Sequence, residues 1–204
     1  MTSWVRRLVA IITVGWCAGC GPRPAYTPPS LSPPRSVAEK QVPVTVYTYH
    51  VTMVTPAQHN PLEFRDETLQ IRFMPRETVL EFAVYNLGTR PVVIVWDQAA
   101  YIDAQGVSHP IIHKGVLLAD TSRRQTPTMV MPQGVLNETI APVDYIYNSS
   151  SGWRQRPMFP KTEESQKLKG TTFGVILPIK TQETVKPYTF QFQITDVEVT
   201  TMMK

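Results

Sequence analysis

The chain has 204 residues, which allows one domain of ordinary size with extensions. It carries 20 Lys and Arg against 16 Asp and Glu, and without Arg6 and Arg7, which fall in a leader-like start, the basic count is 18. The basic residues are scattered among acids, which argues against nucleic-acid binding. Both cysteines, Cys17 and Cys20, lie at the start of the chain, so no thiol remains elsewhere for a disulfide, a zinc site or a nucleophile.

The first nineteen residues have the layout of a secretory signal. Arg6 and Arg7 supply a positive start, residues 8–16 form an apolar run, and small residues close it. The apolar run is well short of the ~20 residues that a membrane-spanning helix needs. We therefore predict that residues 1–19 are a signal peptide.

The signal ends in Cys-Ala-Gly-Cys, which resembles the lipobox of bacterial lipoproteins. Ala18, Gly19 and Cys20 match that pattern, whereas Cys17 stands where an aliphatic residue is usual. The resemblance implies that Cys20 is acylated and becomes the mature N-terminus, which makes membrane lipid a predicted partner. In enteric bacteria an Asp after this cysteine retains a lipoprotein in the inner membrane. Gly21 therefore implies an outer-membrane location, on the periplasmic face or at the cell surface.

Two alternatives to acylation remain open. Ordinary signal cleavage beside a chance cysteine would give a soluble periplasmic protein, and an uncleaved signal would remain as an anchor. No Ala-x-Ala site lies nearby, and Pro22 and Pro24 would hinder cleavage further along. Acylation of Cys20 is the interpretation that the residues favour.

Residues 20–43 comprise the acylated cysteine and a predicted tether. The segment is rich in Pro, Ser and small residues and has almost no apolar periodicity, so it cannot bury enough surface to order itself. Proline-rich chains favour an extended polyproline II geometry, with a reach of roughly 70 Å for this length. We interpret the segment as a disordered spacer between the lipid and a folded domain.

Residues 44–204 are predicted to form a single β-sandwich domain. Tyr188, Phe190, Phe192 and Ile194 alternate with Thr and Gln, and this period of two predicts a strand with one buried face. Further strands are predicted at 44–54, 68–73, 79–85, 91–96, 99–102, 128–131 and 173–179. Strands separated by turns, without a convincing helical period, indicate an all-β, antiparallel sandwich.

Two segments give weaker signals. Pro178 interrupts the run at 173–179, and because proline cannot donate a ladder hydrogen bond, this strand is predicted to lie near an edge or an end. Residues 161–169 could form one short helix. The sequence favours a solvated loop there, since Leu168 is the only apolar anchor.

Residues 82–116 resemble a group of uncharacterised bacterial envelope proteins, many of them lipoproteins, with an immunoglobulin-like core. In that group a strand ending in Asn leads to an apolar strand ending in Trp-Asp, then an Asp-x-x-Gly turn and a His-x-x-x-His segment. The matching features are Asn86, Trp96, Asp97, Asp103, Gly106, His109 and His113, with residues 131–134 similar to a later Pro-Pro-Gly corner. The resemblance covers residues 82–192, and it implies an immunoglobulin-like fold and an envelope location but no activity.

His109 and His113 are the residues that most invite a metal hypothesis. Histidines at i and i+4 share one face of a helix and can chelate an ion. Pro110 argues against a helix, and on a strand the two side chains would lie about 13 Å apart. We therefore predict no metal and no cofactor, and expect Asp97 and Asp103 to bond backbone groups at a strand end and a turn. The alternative is a metal-dependent or hydrolytic envelope enzyme using His109 and His113.

Aromatic and Arg side chains cluster in the segment 144–160. Recognition surfaces are enriched in these residue types, although several of the aromatics would equally serve to plug the open end of the sandwich. The predicted partner-binding residues are Tyr145, Tyr147, Trp153, Arg154, Arg156 and Phe159. The sequence thus predicts a noncatalytic envelope lipoprotein that binds or scaffolds another envelope component, with an envelope protein as its second partner.

Overall fold

The computed structural model describes residues 43–57 and 59–203, which belong to one compact unit. The strands are β1 (Pro43–Thr55), β2 (Glu63–Arg65), β3 (Leu69–Pro75), β4 (Leu80–Asn86), β5 (Val92–Ile94), β6 (Ala100–Ile102), β7 (Ser108–His113), β8 (Thr128–Val130), β9 (Val135–Pro142), β10 (Ile146–Ser149), β11 (Gly152–Gln155), β12 (Thr172–Thr181) and β13 (Thr184–Met203). Short 3₁₀ helices occupy Trp96–Gln98, Leu118–Asp120, Val143–Tyr145 and Glu163–Leu168. None of the helices in this described part has the length and apolar character to span a bilayer. The predicted signal peptide, the acylation at Cys20 and the tether up to residue 42 lie outside the described residues.

The strands follow the period-two pattern of the sequence. In β13, Tyr188, Phe190, Phe192 and Ile194 are all buried, while Thr189 and Gln191 between them are exposed and Gln193 is half-buried. In β3 the buried residues are Leu69, Ile71 and Phe73. The prediction of an all-β, antiparallel sandwich is confirmed, because each of these strands turns one apolar face inward.

The strands form two layers that are joined through β7. Hydrogen-bonded neighbours follow the order β1-β13-β12-β6-β7-β9-β4-β3-β2, and β5 pairs with both β12 and β8. The first half of β7 pairs with β6, and its second half, from Ile111, pairs with β9. Because β7 changes partner at Pro110 and Ile111, it passes from one layer to the other, and His109 and His113 lie on opposite sides of this crossing.

Aromatic rings fill the space between the layers. Phe73 lies at the centre, with ring centroids 4.8 Å from Phe190, 5.0 Å from Phe192 and 5.9 Å from Phe82. Phe192 also stacks on Phe173 at 5.1 Å. Close ring contacts of this kind stabilise a core beyond the burial of apolar area alone.

The predicted position of Pro178 near an edge or end is wrong. Pro178 lies inside β12, which has β13 on one side and β6 and β5 on the other. The Pro178 carbonyl accepts a hydrogen bond from the Val95 amide (2.9 Å). The N–H and C=O of one residue point to the same side of a strand. The N–H that Pro178 lacks would therefore point to the gap where β12 changes its neighbour from β6 to β5. The interior strand therefore loses no ladder hydrogen bond there.

The segment 161–169 also differs from the favoured interpretation of a solvated loop. Residues Glu163–Leu168 form a 3₁₀ helix that begins with a capping box, in which the Thr162 amide donates to Ser165 Oγ. Ser165 is fully buried and its hydroxyl donates to the Pro160 carbonyl (2.6 Å). These polar capping contacts, together with the packing of Leu168 against the core, hold the helix in place. The sequence shows no apolar periodicity there, so it did not favour this helix.

Candidate functional site

A buried histidine connects the β6–β7 turn to the start of the segment 144–160. His109 is 7% exposed, and its Nε2 lies 3.0 Å from Asp103 Oδ2 while its Nδ1 lies 3.0 Å from Asp144 Oδ2. Each ring nitrogen thus faces a carboxylate, so the doubly protonated imidazolium can donate to both. We call this arrangement of His109, Asp103 and Asp144 the His109 bridge.

The two buried groups of the bridge reinforce each other's charge. Burial lowers the pKa of His109, but its hydrogen bonds with Asp103 and Asp144 outweigh burial, so the pKa lies above its usual 6.5. Burial raises the pKa of Asp103, but hydrogen bonds from His109 and from the backbone of Val107 and Gln105 outweigh it, so the pKa is lowered. Relative to the free side chains, each group therefore favours the charged form of the other.

The turn before His109 is held by Asp103 itself. Its Oδ1 accepts the amides of Gln105 and Val107, both at 2.9 Å, and Gly106 takes a φ of 80°. This confirms the prediction that Asp103 opens an Asx-type turn. Asp97 likewise bonds a backbone group, the amide of Gln125 at 2.6 Å, as the sequence predicts.

His113 lies apart from this bridge. Its ring stacks on Trp96 with a centroid distance of 4.4 Å and an interplanar angle of 13°. Its Nδ1 lies 3.4 Å from Glu138 Oε2, and Glu138 Oε1 accepts the Lys114 amide at 3.1 Å. The two predicted histidines thus contact different acids, and across residues 43–57 and 59–203 no three His, Cys, Asp or Glu side chains are grouped to hold a metal ion.

Strands β10 and β11 form a separate two-stranded sheet, which we call the docking hairpin (residues 146–155). Tyr147 pairs with Arg154, and Asn148 pairs with Trp153. Because side chains alternate along a strand, Tyr147 and Arg154 lie on one face of the hairpin and Trp153 lies on the other. Tyr147 is 52% exposed and Trp153 is 46% exposed, so each face presents an aromatic ring to solvent.

The base of the docking hairpin is fixed to the sandwich. Tyr145 and Phe159, which flank the hairpin, are both buried. Phe159 packs between Tyr49 at 5.2 Å and Phe173 at 5.0 Å. The amide of Phe159 also donates to the Glu77 carbonyl at 3.1 Å. The chain therefore enters and leaves the hairpin through packed positions.

Arg156 covers the buried ring at this base. Its guanidinium lies 3.9 Å from the centroid of the Tyr145 ring, and the Arg156 amide donates to the Tyr145 carbonyl at 2.8 Å. A cavity of about 270 Å³ opens beside the two residues, lined also by Tyr101, Asp103 and Phe173. Its wall combines aromatic surface with one cation and one acid.

The structure thus divides the six predicted partner-binding residues into two sets. Tyr145 and Phe159 belong to the buried base with Arg156 above it, whereas Tyr147, Trp153 and Arg154 lie on the exposed hairpin. The sequence missed the contribution of Asp144, which ties the base to His109. Comparisons with protein-family models, curated proteins and solved structures found no match to the chain.

Proposed function

We propose that the chain is a noncatalytic bacterial envelope lipoprotein, anchored through acylated Cys20, whose sandwich binds another envelope protein through the docking hairpin. The signal-like start and the lipobox-like Cys-Ala-Gly-Cys support the location. The docking hairpin supports the binding role.

The observation that carries this proposal is an exposed aromatic hairpin on a buried base. Tyr and Trp supply large contact areas at a small cost in side-chain entropy, and they dominate the energetics of many protein interfaces. Tyr147 and Trp153 are exposed on opposite faces of one two-stranded unit. A partner that encloses the hairpin tip would bury both rings.

The base favours binding by holding the hairpin in one orientation. A surface that is already ordered loses less conformational entropy on association. The His109 bridge joins Asp144 to the β6–β7 turn, and Phe159 is packed against two rings of the core. The hairpin therefore projects from a base that is fixed at both of its ends.

The arrangement of His109 gives little support to an enzyme. With both ring nitrogens held by carboxylates, the imidazole has no nitrogen available to take a proton from a nucleophile. His113 faces Glu138 and Trp96 on the other side of the crossing strand. The two histidines therefore do not make one reaction centre.

Replacing Trp153 with alanine is expected to weaken partner binding about tenfold, the usual cost of truncating a central interface aromatic. The measurement uses a photo-crosslinking amino acid at Tyr147 in intact cells, with the yield of one discrete crosslinked species as the readout. Met74→Ala, at a residue that is 46% exposed on β3, is the matched control and should leave the yield unchanged. No discrete species from position 147, or an equal loss in both variants, would contradict a docking role for the hairpin.

Replacing Cys20 with serine is expected to move the chain from the membrane fraction to the soluble fraction, because serine cannot form the thioether that carries the lipid. Membrane and soluble fractions are compared by immunoblot, and metabolic labelling with a fatty acid reports acylation directly. Cys17→Ser is the control and should keep the label. Fatty-acid labelling that persists in Cys20→Ser would show that Cys20 is not the acylated residue.

A further inference from the structure

The loop between β7 and β8, residues 114–127, concentrates positive charge. It contains Lys114, Arg123 and Arg124 and one acid, Asp120, so its net charge is +2. Asp120 pairs with Arg123 at 3.2 Å. Within the described part of the chain, Lys114 and Arg124 have no acidic side chain within salt-bridge distance. The loop therefore presents two cations without a salt bridge to solvent, although Asp97 lines a neighbouring hollow with Arg124.

Apolar side chains are exposed beside these cations. Leu117 is 69% exposed, and Met129 and Met131 are each 59% exposed. Leu117 and Met129 line one concavity of about 650 Å³ together with Lys114 and Arg124. Exposure of this extent in several neighbouring large apolar residues indicates a contact surface rather than scattered surface hydrophobics.

The adjoining sheet extends the same surface. Lys180 of β12 pairs with Val93 of β5, and Val93 pairs with Met129 of β8. Cross-strand neighbours share a face of a sheet, so Lys180, Val93 and Met129 form a row on the outer face of this layer. Lys180 is a third cation at this surface, although Glu183 lies 3.8 Å from it.

We propose that this apolar–basic surface (Val93, Leu117, Met129, Lys114, Arg124 and Lys180) contacts a bilayer containing anionic phospholipid. An apolar patch bordered by cations binds the membrane interface through apolar burial and attraction to anionic headgroups together. The surface carries no aromatic ring on which a nucleic-acid base could stack. Charge complementarity therefore favours a phospholipid surface as the occupant. This contact goes beyond the docking hairpin, and it is independent of the partner proposed for that hairpin.

The test uses the acylated full chain in vesicles, with Leu117→Cys labelled by bimane. Vesicles contain phosphatidylcholine alone or mixed with phosphatidylglycerol, and brominated acyl chains quench a label that reaches the hydrocarbon. We expect quenching in phosphatidylglycerol vesicles to exceed clearly that in phosphatidylcholine vesicles. A label at Val107→Cys, an exposed residue of the β6–β7 turn, is the matched control and should stay unquenched in both.

Neutralising the two cations that have no salt bridge should weaken the contact strongly. Lys114→Gln with Arg124→Gln is expected to lower the equilibrium constant for contact about 30-fold, the effect of two charges near an anionic membrane surface. Arg65→Gln with Lys167→Gln removes the same charge elsewhere and should have little effect. Equal quenching at 117 and 107, or quenching insensitive to phosphatidylglycerol and to the Lys114 and Arg124 changes, would overturn the proposal. Protection of the Leu117 label by another protein instead of lipid would overturn it as well.

Flotation separates this inference from the acyl-anchor proposal. If the purified chain lacks acyl chains by mass, the anchor proposal fails, and vesicle contact is then measured by flotation of the same chain. Flotation that needs phosphatidylglycerol and is lost on changing Lys114 and Arg124 would still support the apolar–basic surface. The membrane-contact proposal would be overturned by flotation that is the same with and without phosphatidylglycerol, and the same in the unchanged chain and the chain altered at Lys114 and Arg124.

Discussion

Replacing Phe192 with alanine is expected to lower the free energy of unfolding by about 3 to 5 kcal/mol, the range for deleting a fully buried aromatic ring. Phe192 is fully buried, and its ring lies 5.0 Å from Phe73 and 5.1 Å from Phe173. Phe73 and Phe173 belong to opposite layers, so removal of the Phe192 ring would leave a cavity between the layers. The β-strand backbones cannot collapse to fill that cavity. Denaturant unfolding followed by near-ultraviolet circular dichroism measures the change.

The matched control for this prediction lies on the same strand. Val199 of β13 is 45% exposed and pairs with Tyr47 beyond the layered core. Val199→Ala should cost less than about 0.5 kcal/mol, as expected for a surface substitution. Similar losses in Phe192→Ala and Val199→Ala would mean that the ring cluster does not hold the two layers together.

The sequence predicts best those strands in which one face alone is apolar. In β3 and in residues 188–194 of β13, apolar residues occupy every second position and these are the buried ones. The reason is that a period of two leaves a strand only one face with which it can join a core. β5 is shorter than its predicted range 91–96, because the chain turns into a 3₁₀ helix at Trp96. The apolar pattern continues through Trp96, so it could not locate that turn.

Strand β9 was not predicted, and its central residues explain why. Asn137, Glu138 and Thr139 interrupt the apolar pattern, and acidic residues are depleted in strands. Glu138 is nevertheless buried, since its carboxylate accepts the Lys114 and Thr139 amides and lies beside His113. His113 ends β7 and Lys114 follows it, so no pattern local to β9 could reveal that the Glu138 carboxylate has these partners inside the sheet.

In the candidate site, too, the sequence could not predict which side chains are buried. Tyr145, Tyr147, Trp153 and Phe159 are similar as residue types, yet two are buried and two are exposed. Which ring faces the core depends on where the hairpin joins the sandwich, and that is a tertiary contact. The separation of His109 and His113 on an extended strand was predictable from the rise per residue, whereas the partners of each histidine were not.

Replacing Asp103 with alanine is expected to cost about 2 to 4 kcal/mol, because it leaves His109 with one carboxylate and the turn amides without an acceptor. Asp103 is buried and accepts the Gln105 and Val107 amides as well as the imidazole. Glu198→Ala is the matched control, since its pair with His50 is an exposed His–carboxylate contact at 3.2 Å. An exposed pair of this kind contributes at most about 1 kcal/mol.

The same bridge predicts how stability depends on pH. The pKa of His109 is raised above 6.5, so its contribution is complete below that pH and is lost as the pH rises through the folded-state pKa. The pKa of Asp103 is lowered from 3.8, so its contribution is complete above that pH and is lost as the pH falls. The contribution of the bridge is therefore greatest between these two values. Unfolding measured from this range upward, through the folded-state pKa of His109, should show a fall in stability on the alkaline side that His109→Gln abolishes and Glu198→Ala keeps. An alkaline fall that persists in His109→Gln would show that a group other than His109 sets it.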